Sequence, residues 1–250
     1  MSSSWENAAD WYDKAVGQKG HYYHEHLILP NVLKELGLKK GEPARLLDLA
    51  CGQGILSRNL PAFVEYVGVD AAGSLIQAAK KYRTACKTSF FTKDVTEELG
   101  LGEKLFTVAT VILAIQNIET PLKVFLNAYK YLEKGGKLIL VLNHPCFRIP
   151  RQSSWQVDTA KKLQYRRIDR YYSPLKIPIQ THPGREGSST TYSFHHPLSA
   201  YTKWLKEAGF QIDLIDEWCS DKKSEGKMAK MEDRSRTEFP LFLAITAVKH

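Results

Sequence analysis

The sequence is poor in cysteine, and its few cysteines lie far apart. The four are Cys51, Cys86, Cys146 and Cys219, and no CxxC pair occurs in the 250 residues. We therefore expect neither a disulfide framework nor a zinc site built on paired cysteines, and a reducing compartment fits this usage.

Long hydrophobic runs are also absent. The longest, residues 105–115, falls well short of the roughly 20 apolar residues that span a bilayer. The opening stretch MSSSWENAADWYDK is polar and acidic and lacks the apolar core of a signal peptide. We expect a cytoplasmic protein with no membrane partner.

Acidic residues are outnumbered, 27 against 35 lysines and arginines, which gives a formal net charge of +8. A basic balance of this size permits an anionic partner but does not require one. The length suits one domain with additions, large enough to bury a full core.

Strand-like apolar runs and helical patterns alternate along most of the chain. Strands are predicted at 45–50, 64–71, 88–95, 106–115 and 137–144. Helices are predicted at 73–85 and 121–136, and a further helix begins at Gly54 and is ended by Pro61. Continuous apolar strands separated by helices indicate a parallel sheet covered on both faces. Residues 5–37 add a helical segment before the first strand.

The pattern changes after the fifth strand. Residues 146–196 show no clear period, a helix is predicted at 197–210, and a charged loop at 220–238 separates strands at 211–218 and 241–250. Two last strands without a helix between them indicate an antiparallel hairpin at the sheet edge.

The stretch LLDLACGQGILSRNL (46–60) places a small-residue loop directly after the first strand. Its turn, Ala50-Cys51-Gly52-Gln53-Gly54, allows the close backbone approach of a ligand. A dinucleotide-binding fingerprint would need a third glycine at the position of Ser57, so the stretch does not match it. No GK[ST] follows the loop, which excludes a P-loop.

Three consecutive strand ends carry an acid: Asp48, Asp70 and Asp94. Asp70 can accept both hydroxyls of a ribose, and Asp94 can accept an adenine amino proton beside an apolar wall at Val95. A single acid at such a place is ordinarily a helix cap. Three in order favour a nucleoside site at the carboxyl edge of the sheet.

The series Asp48, Ala50, Gly52, Gly54 resembles the first motif of class I S-adenosylmethionine-dependent methyltransferases, with alanine at the first glycine position. Asp70 matches the ribose-binding acid of that family. The closing hairpin matches its strand pair, in which the last strand inserts antiparallel. The stretches FHHPLSAYTKWLKEAGF and EFPLFL are similar to the ubiquinone-biosynthesis-like, small-molecule branch.

The resemblance implies a Rossmann-like, doubly wound seven-stranded sheet and S-adenosylmethionine as cofactor. The residues it assigns to the cofactor are Asp48, Ala50, Cys51, Gly52, Gly54, Asp70, Ala71, Asp94, Val95, Leu113, Ala114 and Asn117. The resemblance divides the chain into four parts. They are an N-terminal helical cap or lid (1–44), a donor-binding core (45–145), a basic aromatic acceptor-binding insertion (146–196), and the last helix with the closing hairpin (197–250).

Methyl transfer from a sulfonium is an in-line displacement that mainly needs proximity and orientation. A hydroxyl acceptor also needs a base, and His144 at the end of the fifth strand has a suitable ordinary pKa near 6.5. The alternative is that His144 only hydrogen-bonds a neighbouring loop. The segment LAIQNIE (113–119) is not the [DNS]PP[YFW] motif used on planar amino groups, and it lacks the acids of a magnesium site. No metal is expected.

The acceptor is expected to contact Tyr12, Gln116, His144, Arg148, Trp155 and His195. The N-terminal aromatics either form a lid over the cofactor or pack against the sheet edge. The insertion has nine basic and three acidic residues and many aromatics, which suits an anionic, flat acceptor. RNA is a second possible partner, and a protein acceptor or a non-catalytic nucleoside-binding protein are further alternatives.

Overall fold

The computed structural model describes residues 5–6, 9–103, 105–180 and 190–250. The strands of this part of the chain are β1 (Ala44–Leu49), β2 (Val64–Asp70), β3 (Lys87–Thr92), β4 (Phe106–Ile112), β5 (Leu132–Asn143), β6 (Ser153–Asp158), β7 (Leu163–Ile168), β8 (Leu175–Gln180), β9 (Thr190–His195), β10 (Phe210–Trp218) and β11 (Phe242–Lys249).

Seven strands form one sheet in the order β10-β11-β5-β4-β1-β2-β3. Strands β1 to β5 run parallel, and β11 inserts antiparallel between β10 and β5. The predicted seven-stranded fold with an antiparallel closing hairpin is thereby confirmed. The register places Asp48 beside Gly68 of β2 and Thr110 of β4.

Helices cover both faces of the sheet. They are α1 (Ala9–Val16), α2 (Leu29–Leu36), α3 (Gly73–Lys81), α4 (Pro121–Tyr131), α5 (Leu198–Glu207) and α6 (Ala229–Glu238). Neighbouring strand residues point to opposite faces: Leu46 faces the cluster that contains α2, and Leu47 faces the cluster that contains α4 and α5. No helix in the described ranges is long and apolar enough to cross a bilayer.

The N-terminal segment is not one helix. After α1 the chain turns at Gly17 and Gly20, both with positive φ, and then forms one π-helical turn, His24–Ile28, that leads into α2. The side chain of His24 lies where a Cβ on Gly20 would be, so only glycine fits at this turn.

The prediction of a helix that begins at Gly54 and ends at Pro61 is wrong. Residues 52–56 form turns, and only one 3-10 turn, Ser57–Asn59, follows. Gly54 has φ +71°, and Ser57 Oγ donates to the Gly54 carbonyl at 2.7 Å. That hydroxyl satisfies a carbonyl that an α-helix would use, and Pro61 prevents continuation beyond the turn.

Helix α4 ends five residues earlier than predicted, because Leu132 is fully buried and already pairs with Phe106 of β4. The ladder between β4 and β5 then shifts register near Gly135, which has φ +79°. Strand β5 therefore begins before the two glycines that the sequence pattern places at the end of a helix.

The charged loop predicted at 220–238 contains helix α6. Its residues lack an apolar stripe, and polar contacts hold it instead. Ser235 Oγ donates to the Gln164 carbonyl of β7 at 2.8 Å, and Arg236 lies 3.1 Å from Asp233. Helical periodicity of apolar residues cannot reveal a helix that is stabilised in this way.

The segment 146–196, which shows no clear sequence period, contains two antiparallel hairpins, β6 with β7 and β8 with β9. Strand β8 alternates apolar and other residues, but β6, β7 and β9 carry polar residues on both faces. The segment as a whole therefore shows no two-residue period of apolar side chains. Strand β9 ends directly before α5.

Candidate active site

A cavity of about 430 Å³ lies at the carboxyl ends of β1, β2, β3 and β4. Its wall includes nine of the twelve residues that the sequence assigns to the cofactor. They are Ala50, Gly52, Asp70, Ala71, Asp94, Val95, Leu113, Ala114 and Asn117. Residues from four consecutive strand ends therefore meet around one space, as the doubly wound topology requires.

The carboxylate of Asp70 holds the glycine loop in place. Its Oδ2 accepts from the Gly52 amide and its Oδ1 accepts from the Ala72 amide, each at 2.8 Å. Burial raises the pKa of Asp70, and the two amides oppose that rise. Each carboxylate oxygen can accept more than one hydrogen bond, so both can also reach a ligand hydroxyl.

Gly52 combines a left-handed φ of +55° with the close approach of an aromatic ring. A Cβ at this position would lie 3.5 Å from Cε1 of Tyr12, and both residues line the cavity. A larger side chain would therefore be strained and would fill the space between the loop and the ring.

Asp48 at the end of β1 and Cys51 and Gly54 within the glycine loop are not on the cavity wall. Asp48 accepts from the hydroxyls of Tyr66 and Thr110, each at 2.7 Å. Burial raises the pKa of Asp48 to about 6, although both hydroxyls act to lower it. These residues shape the loop, and direct contact with a cofactor stays a prediction for them.

Asp94 lies just beyond the end of β3 and is exposed. Its Oδ1 accepts from the backbone amide of Thr96 at 2.9 Å and from its hydroxyl at 2.7 Å. Asp94, Val95 and Thr96 all line the cavity. A carboxylate beside an apolar side chain is the combination expected for an adenine amino group, and Thr96 adds a hydroxyl that the sequence did not single out.

Two residues on the cavity wall adopt left-handed backbone without being glycine. Ala50 has φ +58° and Leu113 has φ +53°. Such conformations cost about 1 kcal/mol or more and concentrate at functional sites. The amide of Leu113 donates to the Val141 carbonyl at 2.7 Å, and the turn ends β4 three residues before its predicted end.

The N-terminal segment reaches the cavity. Trp5 and Tyr12 line it, with their rings edge to face and their centroids 5.8 Å apart. Glu6 is bonded to the first turn of α3, where it accepts from the Ser74 amide at 3.2 Å and from the Ser74 hydroxyl. The aromatics therefore pack on the protein and also cover the site.

The insertion supplies wall residues that the sequence placed only within a basic, aromatic segment. They are Lys176, Tyr192 and Phe194, from the β8–β9 hairpin. The ammonium of Lys176 lies 3.2 Å from a carboxylate oxygen of Glu119, and 5.0 and 5.4 Å from the centroids of the two rings. Only the hairpin register shows which side chains face the cavity.

His144 does not line this cavity, and both of its ring nitrogens have protein partners. Nδ1 accepts from the amides of Cys146 and Phe147, so the ring proton lies on Nε2, which donates to Glu217 at 2.7 Å. Burial lowers the pKa of His144, and Glu217 opposes this. The geometry favours the loop-bonding alternative over the general base.

We expect His144→Gln to leave S-adenosylmethionine affinity unchanged and to reduce methyl transfer by less than threefold. Loss of a general base ordinarily reduces turnover by 10² to 10⁴. Single-turnover rates of His144→Gln and of a Glu217→Gln control, both checked for a folded state by circular dichroism, decide the point. A hundredfold loss confined to His144→Gln would restore the base assignment.

Gln116, Arg148 and His195 line a second, smaller cavity, and Phe194 lines both cavities. Nε2 of His195 donates to the carbonyl of Tyr171 at 2.6 Å. Trp155 lies on neither wall, and its ring packs edge-on against Phe239 at 5.4 Å between centroids. The predicted acceptor residues are thus divided between two cavities and their surroundings.

The fold and the wall residues together define an α/β protein with a nucleoside-type site at the carboxyl edge of its sheet. The sequence profile of the methyltransferase domain family matches residues 20–215. The chain therefore belongs to the methyltransferase domain family, and it has the S-adenosylmethionine-dependent methyltransferase fold.

Curated relatives cover only part of the chain. It is 30% identical over 125 residues to demethylmenaquinone methyltransferase of Chlamydia trachomatis, a match that covers 48% of this chain and 52% of that protein. It is 32% identical over 103 residues to the mitochondrial ubiquinone biosynthesis O-methyltransferase of Candida albicans, covering 38% and 31% respectively. The chain thus spans about half the length, or less, of these relatives.

A solved structure extends the likeness of fold to most of the chain. An S-adenosylmethionine-dependent methyltransferase from Mesorhizobium loti superposes with a TM-score of 0.64 at 22% identity, covering 88% of this chain and 96% of that one. At this identity the likeness shows the fold. The resemblance drawn from the loop and strand-end acids is confirmed at the level of the family.

Proposed function

We propose that the protein transfers a methyl group from S-adenosylmethionine to a small-molecule acceptor. One observation carries the proposal: a single cavity joins the strand-end acids and glycine loop to the aromatic and cationic side chains of the β8–β9 hairpin. Donor residues and an acceptor-type surface thus face the same space.

The cavity residues fit the cofactor that the family implies. The volume of the cavity lies within the usual 300–1,000 Å³ of small-molecule sites. Asp70 would accept the ribose hydroxyls, Asp94 with Thr96 would bind the adenine amino group, and the loop around Gly52 would approach the amino-acid end. When bound, S-adenosylmethionine supplies a methyl group already activated by its sulfonium.

The protein's own contribution is to bind, orient and exclude water. Trp5 and Tyr12 cover the cavity from the N-terminal side, and Tyr192 and Phe194 cover it from the insertion. A flat acceptor would stack on the insertion rings, and Lys176 would attract an anionic group or stabilise charge on it. No residue of the wall is assigned the role of a base.

The relatives support a small molecule as the acceptor, because their names refer to quinone precursors and quinone biosynthesis. Part of the positive charge of the insertion is neutralised locally, because Arg167 pairs with Asp169 and Lys161 with Asp158. Paired cations contribute little to the phosphate contacts on which RNA affinity depends. RNA is therefore not proposed as the acceptor, and the labelling experiment described next distinguishes it from a small molecule.

The proposal is tested by calorimetry followed by methyl transfer. We expect S-adenosylmethionine and its demethylated product, S-adenosylhomocysteine, to bind with micromolar affinity, whereas NAD gives no heat. Methyl-labelled donor should then label a low-molecular-weight fraction of a metabolite extract. Absence of donor binding would contradict the proposal, and label in RNA or protein alone would replace the acceptor class.

A further inference from the structure

The smaller cavity lies beside the proposed methyl-transfer site. It measures about 20 Å³, enough for a water molecule or for one polar group of a ligand. Phe194 lines both cavities, and Gln116 belongs to the same 3-10 turn as Asn117 of the larger wall. Only the ring of Phe194 and the 3-10 turn that contains Gln116 and Asn117 therefore separate a ligand in the large cavity from the small cavity.

Three buried polar atoms around the small cavity have no hydrogen-bond partner among the described residues. They are Oε1 of Gln116, Nη1 of Arg148 and Nε2 of His196. Buried polar atoms in proteins are nearly always paired, so each exception needs an explanation. The three residues that carry these atoms share one cavity wall, which points to a common occupant that carries its own donors and acceptors.

The charge of this wall is one-sided. Arg148 supplies a guanidinium that lies over the ring of Phe242, 4.9 Å from its centroid, and none of the described residues that line the small cavity is acidic. Arg148 is half-buried, and a charge withdrawn from water without a counter-charge is unfavourable. An anionic occupant would remove that penalty, whereas a water molecule would leave the charge unbalanced.

We propose that the small cavity binds the carboxylate of the methyl acceptor. Arg148 and His196 donate hydrogen bonds to the carboxylate oxygens, and Oε1 of Gln116 accepts one from a hydroxyl or amine beside that carboxylate. The remainder of the acceptor lies along Phe194 in the large cavity. This assignment rests on the proposed function and narrows its substrate class to carboxylic acids.

The test uses benzoate and its neutral counterpart benzamide as probes. Binding is measured by calorimetry on the full chain saturated with S-adenosylhomocysteine. We expect benzoate to bind at least tenfold more tightly than benzamide, and Arg148→Met to remove that preference. Arg170→Met, which removes an exposed arginine of the same insertion, is the matched control and should leave it intact.

Arg148 packs on Phe242, so a second variant guards against misfolding. Gln116→Glu places a carboxylate inside the cavity, where it pairs with Arg148 and repels benzoate, and we expect at least a tenfold loss of benzoate affinity with unchanged S-adenosylhomocysteine affinity. Equal binding of the two probes, no benzoate binding, or full binding by both variants would overturn the inference. Failure to bind S-adenosylhomocysteine would instead overturn the proposed function.

Discussion

Replacing Asp70 by alanine is expected to weaken S-adenosylmethionine binding about a hundredfold, or about 2.7 kcal/mol. The carboxylate is positioned to accept ribose hydroxyls, and hydrogen bonds to a charged group contribute about 1.5–3 kcal/mol each. It also holds the Gly52 and Ala72 amides, so the variant loses loop order as well. Calorimetry with S-adenosylmethionine measures the loss.

A matched control separates this effect from a general loss of negative charge. Glu133→Gln removes an acid that pairs with Arg45 at the opposite end of the sheet, and it should bind the donor as the parent does. Circular dichroism must show that Asp70→Ala keeps the native fold. Affinity within threefold of the parent would show that Asp70 does not contact the donor.

Replacing Asp48 by asparagine is expected to change how stability depends on pH. Its pKa of about 6 in the folded protein exceeds the ordinary value near 3.9, so between about pH 4 and pH 6 the native state binds more protons than the unfolded state. The free energy of unfolding contributed by Asp48 therefore falls as pH rises through this window. Above pH 6 the penalty is complete.

The size of that penalty follows from the shift. A rise of the pKa from near 3.9 to about 6 corresponds to a free-energy penalty of about 3 kcal/mol at neutral pH. The amide of the variant makes weaker hydrogen bonds with Tyr66 and Thr110, which reduces the gain in stability. We expect Asp48→Asn to be about 1–3 kcal/mol more stable than the parent at pH 7.5. Near pH 4 this advantage is lost, and the variant is as stable as the parent or less stable, because only the weaker hydrogen bonds to Tyr66 and Thr110 then distinguish the two proteins.

Urea unfolding of Asp48→Asn and the parent between pH 4 and pH 8 provides the measurement. Asp158→Asn, at an exposed hairpin end where the acid accepts from the Lys161 amide, is the control and should follow the pH curve of the parent. A pH-independent difference in stability between Asp48→Asn and the parent would show that burial does not raise the pKa of Asp48 in the folded protein.

Much of the sheet could be predicted because its strands are apolar on both faces. Runs such as that around Val108 can be buried only in the centre of a covered parallel sheet. Helix α6 and the insertion hairpins gave no such signal, since their stability depends on contacts such as Ser235 to Gln164. The segment from Gly54 to Pro61, after the glycine loop, was predicted as a helix because a hydroxyl-to-carbonyl bond at Ser57 is not visible in apolar spacing.

The site shows the same division. The acids at strand ends could be placed from topology alone, because parallel strands end at one edge. Which side of the loop Asp48 faces depends on the register that puts it beside Thr110. The pairing of Glu119 with Lys176 joins segments 57 residues apart and depends on a hairpin that the sequence pattern does not reveal.

The two covers of the large cavity are held by separate polar contacts, and this separation has a kinetic consequence. Glu6 ties the N-terminal cover to α3, and Glu119 ties the β8–β9 hairpin to the segment before α4. Each cover can release by breaking its own contacts. Under the proposed function, we expect S-adenosylhomocysteine to leave when the N-terminal cover opens while the acceptor stays bound under the hairpin. One acceptor molecule could then be methylated more than once before it is released.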